Sequence, residues 1–149
     1  MNITLREITM ANFRECLTLE LDERQKNFVA SNMYSLAEAK ADGVSNPRAV
    51  YADEQLVGFI MYDFNTDEKR GYITRLMVDK GHQGHGYGRA AMQQVIDRFK
   101  ANPDCREIYT SVDPENDVAK GLYVRLGFTL TGEVVDGEAV LRMPIPPTK

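Results

Sequence analysis

QGHGYG, residues 83–88, decides how this chain is read. Gly84, Gly86 and Gly88 fall within six positions. GYITRLMV (71–78) precedes the loop and reads as a strand; AAMQQVIDRFK (90–100) follows it and reads as a helix. Glycine costs backbone entropy, so three together need a reason. A helix's first turn has N–H groups without intrahelical partners, and its dipole favours negative charge there. A glycine-rich approach lets a phosphate come close to those groups. The plainer alternative is a tight strand-to-helix turn.

Two phosphate motifs fit poorly. A P-loop needs Gly-Lys-Ser/Thr, but Arg89 and Ala90 follow the third glycine. Gly86, Gly88 and Ala91 do match the dinucleotide pattern G-x-G-x-x-G/A. That fingerprint opens a repeated βαβ fold, whereas this loop follows an antiparallel meander.

The meander spans residues 48–78. RAVYADEQLVGFIMYDF (48–64) is a hairpin about Asp53-Glu54-Gln55, and GYITRLMV follows the charged turn NTDEKR (65–70). Upstream, NITLRE (2–7) alternates as a short strand. Phe13, Cys16, Leu17 and Leu21 then predict a helix within residues 8–22, with Thr9 as its cap. SNMYSLAEAKA (31–41) predicts a second helix between Ser31 as cap and Gly43. After the glycine loop, Met92, Val95, Ile96 and Phe99 repeat at helical spacing, and REIYTSVD (106–113) is a strand. NDVAKGLYVRLGF (116–128) predicts a helix with Val118, Ala119, Leu122 and Leu126 on one stripe and Gly127 as C-cap. FTLTGEVVDGEAVLRMPI (128–145) is a closing hairpin turning at Asp136-Gly137. The order is β-α-α-β-β-β-α-β-α-β-β, an α/β chain with a mixed sheet. It has one strand-helix-strand unit long enough for a parallel crossover.

The 149 residues suit one domain, 1–149, with 43% hydrophobic and 27% charged residues. A net charge of −4 argues against nucleic acid or an anionic membrane as partner. No apolar run is long enough to span a bilayer, and MNITLREITM lacks a signal-peptide core. Cys16 and Cys105 make neither a disulfide framework nor a metal cluster, so no metal and a cytoplasmic location are expected.

A third motif fits the loop better. Gln83, Gly86 and Gly88 meet Gln/Arg-x-x-Gly-x-Gly/Ala, and with the preceding strand they resemble the pyrophosphate loop of the GNAT acetyltransferases. Residues 116–128 resemble that family's later helix, opened by Asn116 and ending Tyr123-x-x-x-Gly127-Phe128. The element order fits as well. The resemblance implies a largely antiparallel sheet with one parallel crossover and a splayed central strand pair. It implies acetyl-CoA as co-substrate, with pantetheine along Leu76, Met77 and Val78. Gln83, Gly84, His85, Gly86, Tyr87, Gly88 and Arg89 would hold the pyrophosphate, and Asn116, Asp117 and Ala119 would lie beside pantetheine. Tyr123 would protonate the leaving thiolate, since a phenol of pKa about 10 is protonated at neutral pH. A backbone N–H at or near Val78 would stabilise the oxyanion. The family transfers the acetyl group without an acyl-enzyme.

The acceptor is read from LELDERQKNFVASNMYSLAEAK (19–40). Glu20, Asp22, Glu23 and Glu38 there, with Phe28 and Tyr34, suit a cationic amine. A solvated helix face balanced by Arg24, Lys26 and Lys40 is the alternative. Residues 27–39 resemble a segment of the bacterial spermine/spermidine acetyltransferases, which points to a polyamine. Some polyamine-acetylating relatives carry a carboxylate where this chain has Thr74, which leaves the base unassigned. A water chain held by Glu20, Asp22 or backbone carbonyls is one substitute; His82 and His85 are read as solvated loop residues. Another small amine, such as an aminoglycoside or amino acid, a protein N-terminus or lysine, and a coenzyme A sensor without turnover remain alternatives. The resemblance allows a homodimer, with the closing hairpin as candidate contact.

Overall fold

The computed structural model describes residues 2–147. Its strands are β1 (Ile3–Glu7), β2 (Asn46–Ala52), β3 (Gln55–Asn65), β4 (Arg70–Val78), β5 (Glu107–Val112), β6 (Thr129–Val135) and β7 (Glu138–Pro144). Its helices are α1 (Phe13–Thr18), α2 (Asn32–Asp42), α3 (Tyr87–Ala101) and α4 (Asp117–Leu126). The strands form one sheet in the order β1-β2-β3-β4-β5-β7-β6. Every neighbouring pair is antiparallel except β4–β5, the two strands joined through α3.

Each face of the sheet buries a cluster. Met92, Val95, Ile96 and Phe99 of α3 and Tyr123 of α4 pack with Ile73, Ile108 and Leu141. Cys16 of α1 packs with Phe59, Met61 and Met77 on the other face, joined by Leu36 of α2. Gly71 allows the first layer to close: a Cβ there would lie 2.7 Å from the Phe99 ring.

Local signals set most boundaries. Ser31 Oγ accepts from Tyr34 N–H and caps α2, and Gly43 ends it at φ +70°. Asn116 Oδ1 accepts from Ala119 N–H and opens α4; Gly127 closes it at φ +113°. Asp136 and Gly137 both have positive φ, as a tight two-residue hairpin turn requires.

Two expectations need correction. The first helix is only Phe13–Thr18, although helical spacing predicted it further. Thr9 is not its cap: the N-cap is Asn12, which makes no side-chain capping bond, and Thr9 instead closes the turn before it, its carbonyl accepting from Asn12 and Phe13 and its Oγ1 from Ala11 N–H. Beyond Thr18 the chain is drawn to the end of β4. Asp79 Oδ1 accepts from Glu20 N–H at 2.8 Å, and Glu20 carbonyl accepts from Lys80 N–H at 2.7 Å. Those bonds take the groups a longer helix would have used, and a short 3-10 turn at Glu23–Gln25 follows. The second correction concerns Val118. It is 75% exposed, while Ala119, Leu122 and Leu126 do pack on the core.

The feature that shapes the site is a bulge in β4. Register runs from Gly58↔Val78 to Met61↔Arg75, then resumes at Tyr62↔Ile73, so Thr74 is an extra residue. A bulge bends its strand. Pairing of β4 with β5 accordingly stops at Ile73↔Thr110. Thr110 Oγ1 closes the end of that ladder by donating to Ile73 carbonyl at 2.8 Å. Past this point β5 stays with β7, and Thr74 to Val78 leave a gap beside them.

Candidate active site

A cavity of about 620 Å³ fills that gap and extends to both sides of it. Antiparallel geometry fixes what β4 presents to it. Asp79 N–H donates to Val57 carbonyl, so Asp79 and Val57 face each other across the ladder. Hydrogen-bonded and non-hydrogen-bonded pairs alternate, so Val78 and Leu76 turn their N–H and C=O away from β3 and into the cavity. The Gln83 side-chain amide donates to Val78 carbonyl at 3.0 Å and to Gln25 Oε1 at 2.8 Å. Gln83 thereby ties the glycine loop to both the strand edge and the 3-10 turn.

The loop needs its glycines for different reasons. Gly84 at φ +84° and Gly86 at φ +80° are left-handed, a conformation that suits glycine. Gly86 is the N-cap of α3 and brings no side chain over the first turn. The first bond inside the helix is Ala90 N–H to Gly86 carbonyl. Gly88 has no positive φ; a Cβ there would only touch Val78, Leu76 and Leu122. The helix N-terminus therefore opens onto the cavity.

Tyr123 lies on the cavity wall opposite, on α4. It is 6% exposed, its ring is 6.2 Å from that of Phe128, and its carbonyl accepts from Phe128 N–H, which fixes the backbone. Burial first, and the Glu138 charge second, push the phenol well above its usual range. It therefore stays protonated at neutral pH and can give a proton.

Of the residues singled out from sequence, Leu76, Met77, Val78, Gln83, Gly84, Gly86, Tyr87, Gly88, Arg89, Asn116, Ala119, Tyr123, Phe28 and Thr74 line this cavity, and so does His82, which was read as a solvated loop residue. His85, Asp117, Glu20, Asp22 and Tyr34 are not on its wall. His85 stacks on Tyr87 with ring centroids 5.5 Å apart. Asp117 is 90% exposed and ion-pairs with Lys120 in its own helix. Glu20 pairs with Lys80 at 2.9 Å, and that bond holds its carboxyl below the usual range. Asp22 accepts from Arg24 N–H, which lowers its carboxyl in turn. Tyr34 is 59% exposed. The charges of this segment thus serve local pairing.

Sequence reasoning did not reach Arg75, Ser111, Arg125, Asp136 and Glu138, which also line the cavity. Arg75 Nη2 donates to Glu38 Oε1 at 3.3 Å and Nη1 to Thr74 carbonyl at 2.9 Å, while its Nε is buried without a partner. Ser111 Oγ donates to Glu138 Oε1 at 2.7 Å. The missed signal was alternation in β5 and β7, which puts both residues on one face; their pairing across strands is non-local.

The geometry agrees with comparison to known proteins. The acetyltransferase (GNAT) family profile matches residues 4–128. The chain is 31% identical to the "Probable spermine N(1)-acetyltransferase" of Bacillus subtilis subsp. natto, over 95% of this chain and 97% of that protein. It is 30% identical, at the same coverage, to the spermine/spermidine N(1)-acetyltransferase of Bacillus subtilis strain 168. Among solved structures, spermidine N-acetyltransferase from Vibrio cholerae with CoA and spermine superposes with a TM-score of 0.74. That match is 22% identical and covers 96% of this chain and 94% of the other. The sheet order, the single parallel pair and the matched span make the chain a member of the GNAT family, an acetyltransferase whose co-substrate is acetyl-CoA.

Proposed function

We propose that this enzyme moves the acetyl group of acetyl-CoA directly to a primary amine of a polyamine such as spermidine or spermine. One observation carries the reading. A single cavity joins the open N-terminus of α3, the outward backbone of Leu76 and Val78, Tyr123, and the carboxylate of Glu138. The first takes the pyrophosphate through backbone N–H groups. The strand edge pairs with the amides of pantetheine, and Val78 N–H is placed to stabilise the oxyanion. Tyr123 protonates the leaving thiolate. No acyl-enzyme is needed: Cys16 and Cys105 are buried, and burial pushes the Cys16 thiol up to about 11. The polyamine is supported by the names of the two Bacillus relatives, each matched along 97% of its length.

We further read the protein as cytoplasmic and as a homodimer. No helix among the described residues is long and apolar enough to cross a membrane. Leu130, Val134 and Val135 of the outer strand β6 are exposed and supply an apolar contact.

The test is thiol release from acetyl-CoA with spermidine, spermine, a diamine, an aminoglycoside, lysine and a short peptide. Release with the polyamines above all others is the expected result. Preference for the peptide or the aminoglycoside would overturn the acceptor assignment while keeping acetyl transfer.

A further inference from the structure

A cationic acceptor needs an anionic seat beside the reacting carbonyl, because an alkylammonium loses most of its hydration on entering a cavity. The wall carries Arg75, Arg89 and Arg125, which cannot serve. Among the described residues its carboxylates are Asp136 and Glu138. Asp136 is at the exposed tip of the β6–β7 turn, with φ +51°. Glu138 lies two residues further in, at the start of β7, and is half-buried.

Strand alternation places Glu138 on a definite side. Ala139 and Leu141 face the α3–α4 cluster, so Glu138 faces the other side of the sheet. On β5, Ile108 and Val112 face that same cluster, so Ser111 faces with Glu138. The 2.7 Å bond from Ser111 Oγ engages one carboxylate oxygen, and an ionised carboxylate can accept several more bonds. Phe28 and Leu21, from the α1–α2 connection, complete the wall with apolar surface suited to methylenes. Tyr123 lines the same cavity, so Glu138 and the phenol face one shared space.

We propose that Glu138, oriented by Ser111, is the seat for an ammonium group of the acceptor: the amine approaches from the α1–α2 side of the sheet, opposite α3 and α4, and the attacking nitrogen first gives up its proton to water, since an ammonium has no lone pair. This rests on the acetyl-transfer reading above. It assigns polyamine recognition to the last hairpin instead of to the acidic residues of the first helices.

The test compares wild type, Glu138→Gln and Ser111→Ala in thiol release with spermidine as the varied amine. Coenzyme A affinity by calorimetry and the melting temperature are measured alongside. Glu138→Gln keeps the shape and removes the charge. The expected result is a KM for spermidine raised about ten- to a hundredfold, the scale of one lost charge-assisted hydrogen bond. Coenzyme A affinity should not change. Ser111→Ala should raise KM in the same direction by a smaller factor, and it decides the matter should Glu138→Gln not fold. A wild-type spermidine KM in the folded variants would overturn the seat, as would an equal loss of coenzyme A binding. Wild-type enzyme that binds coenzyme A yet acetylates no amine would instead overturn the functional reading, and the seat with it.

Discussion

Gly86 is the position at which the phosphate loop can be tested in two separable steps. Its φ of +80° costs an ordinary L-residue about 1–2 kcal/mol. No heavy atom lies within 4 Å of a Cβ built there, so that strain is the whole steric penalty. Gly86→Ala should then lower the melting temperature by about 2–8 °C, given about 2–4 °C per kcal/mol at this size. Coenzyme A binding should change little. Gly86→Glu carries the same strain and adds a carboxylate beside the first turn of α3, where negative charge is held favourably. There it competes for the N–H groups that face the pyrophosphate. Charge-assisted bonds contribute about 1.5–3 kcal/mol each, so losing two raises the coenzyme A Kd about 10²–10⁴-fold. Calorimetric titration with coenzyme A, paired with thermal melts, reads both steps. If Gly86→Glu bound as tightly as Gly86→Ala, the pyrophosphate would have to sit elsewhere. An unchanged melting temperature for both would refute the strain argument.

Tyr123→Phe should lower kcat about 10²–10⁴-fold, the usual scale for a lost general acid, with coenzyme A affinity retained; a wild-type rate would remove Tyr123 from the chemistry. Because burial raises the Tyr123 phenol, its protonated form adds stability that is full below a free phenol's pKa of about 10 and lost as pH rises further. Cys16 behaves alike one step lower: its thiol is pushed from 9.0 up to about 11, so stability present below pH 9 should fade as pH climbs through that window. Urea midpoints at pH of about 8.5 and 10.5 should converge between wild type and Cys16→Ala, whereas parallel pH dependence would contradict the thiol's role. In Gly58→Ala the new Cβ would lie 2.5 Å from Met77 carbonyl oxygen, so β4 must move. A loss of about 1–3 kcal/mol and a raised KM for acetyl-CoA are expected, and a wild-type melting temperature would argue against that close approach.

What could be read in the sequence was what neighbouring residues decide. Ser31, Asn116, Gly43 and Gly127 end helices through contacts within a few positions, and Asp136-Gly137 forms its turn unaided. The glycine loop was legible for the same reason. The bulge at Thr74 was not, since it exists only in the register between β3 and β4. The acceptor side failed on similar grounds. Glu20 and Asp22 look available in a string of letters, but Lys80 and the backbone of Arg24 hold them away from the cavity. Glu138 drew no notice because its partner, Ser111, lies on another strand.

The bulge also explains why this sheet can hold a substrate at its centre. A parallel pair carried on to Val78 would have consumed the outward N–H and C=O groups of Leu76 and Val78. Instead the extra residue at Thr74 turns β4 aside, and Thr110 Oγ1 seals the ladder at Ile73. Strand groups left unpaired inside a protein cost about 1–3 kcal/mol each unless something satisfies them. Gln83 satisfies one, the carbonyl of Val78, and it is itself part of the phosphate loop. The outward groups of Leu76 and the Val78 N–H face the cavity, where a ligand bearing amides can pair with them as an added strand would. The same divergence opens one cavity onto Tyr123 on one face and Glu138 on the other. Co-substrate and amine can then approach from opposite sides and meet only at the gap. A continuous ladder, however stable, would have kept them apart.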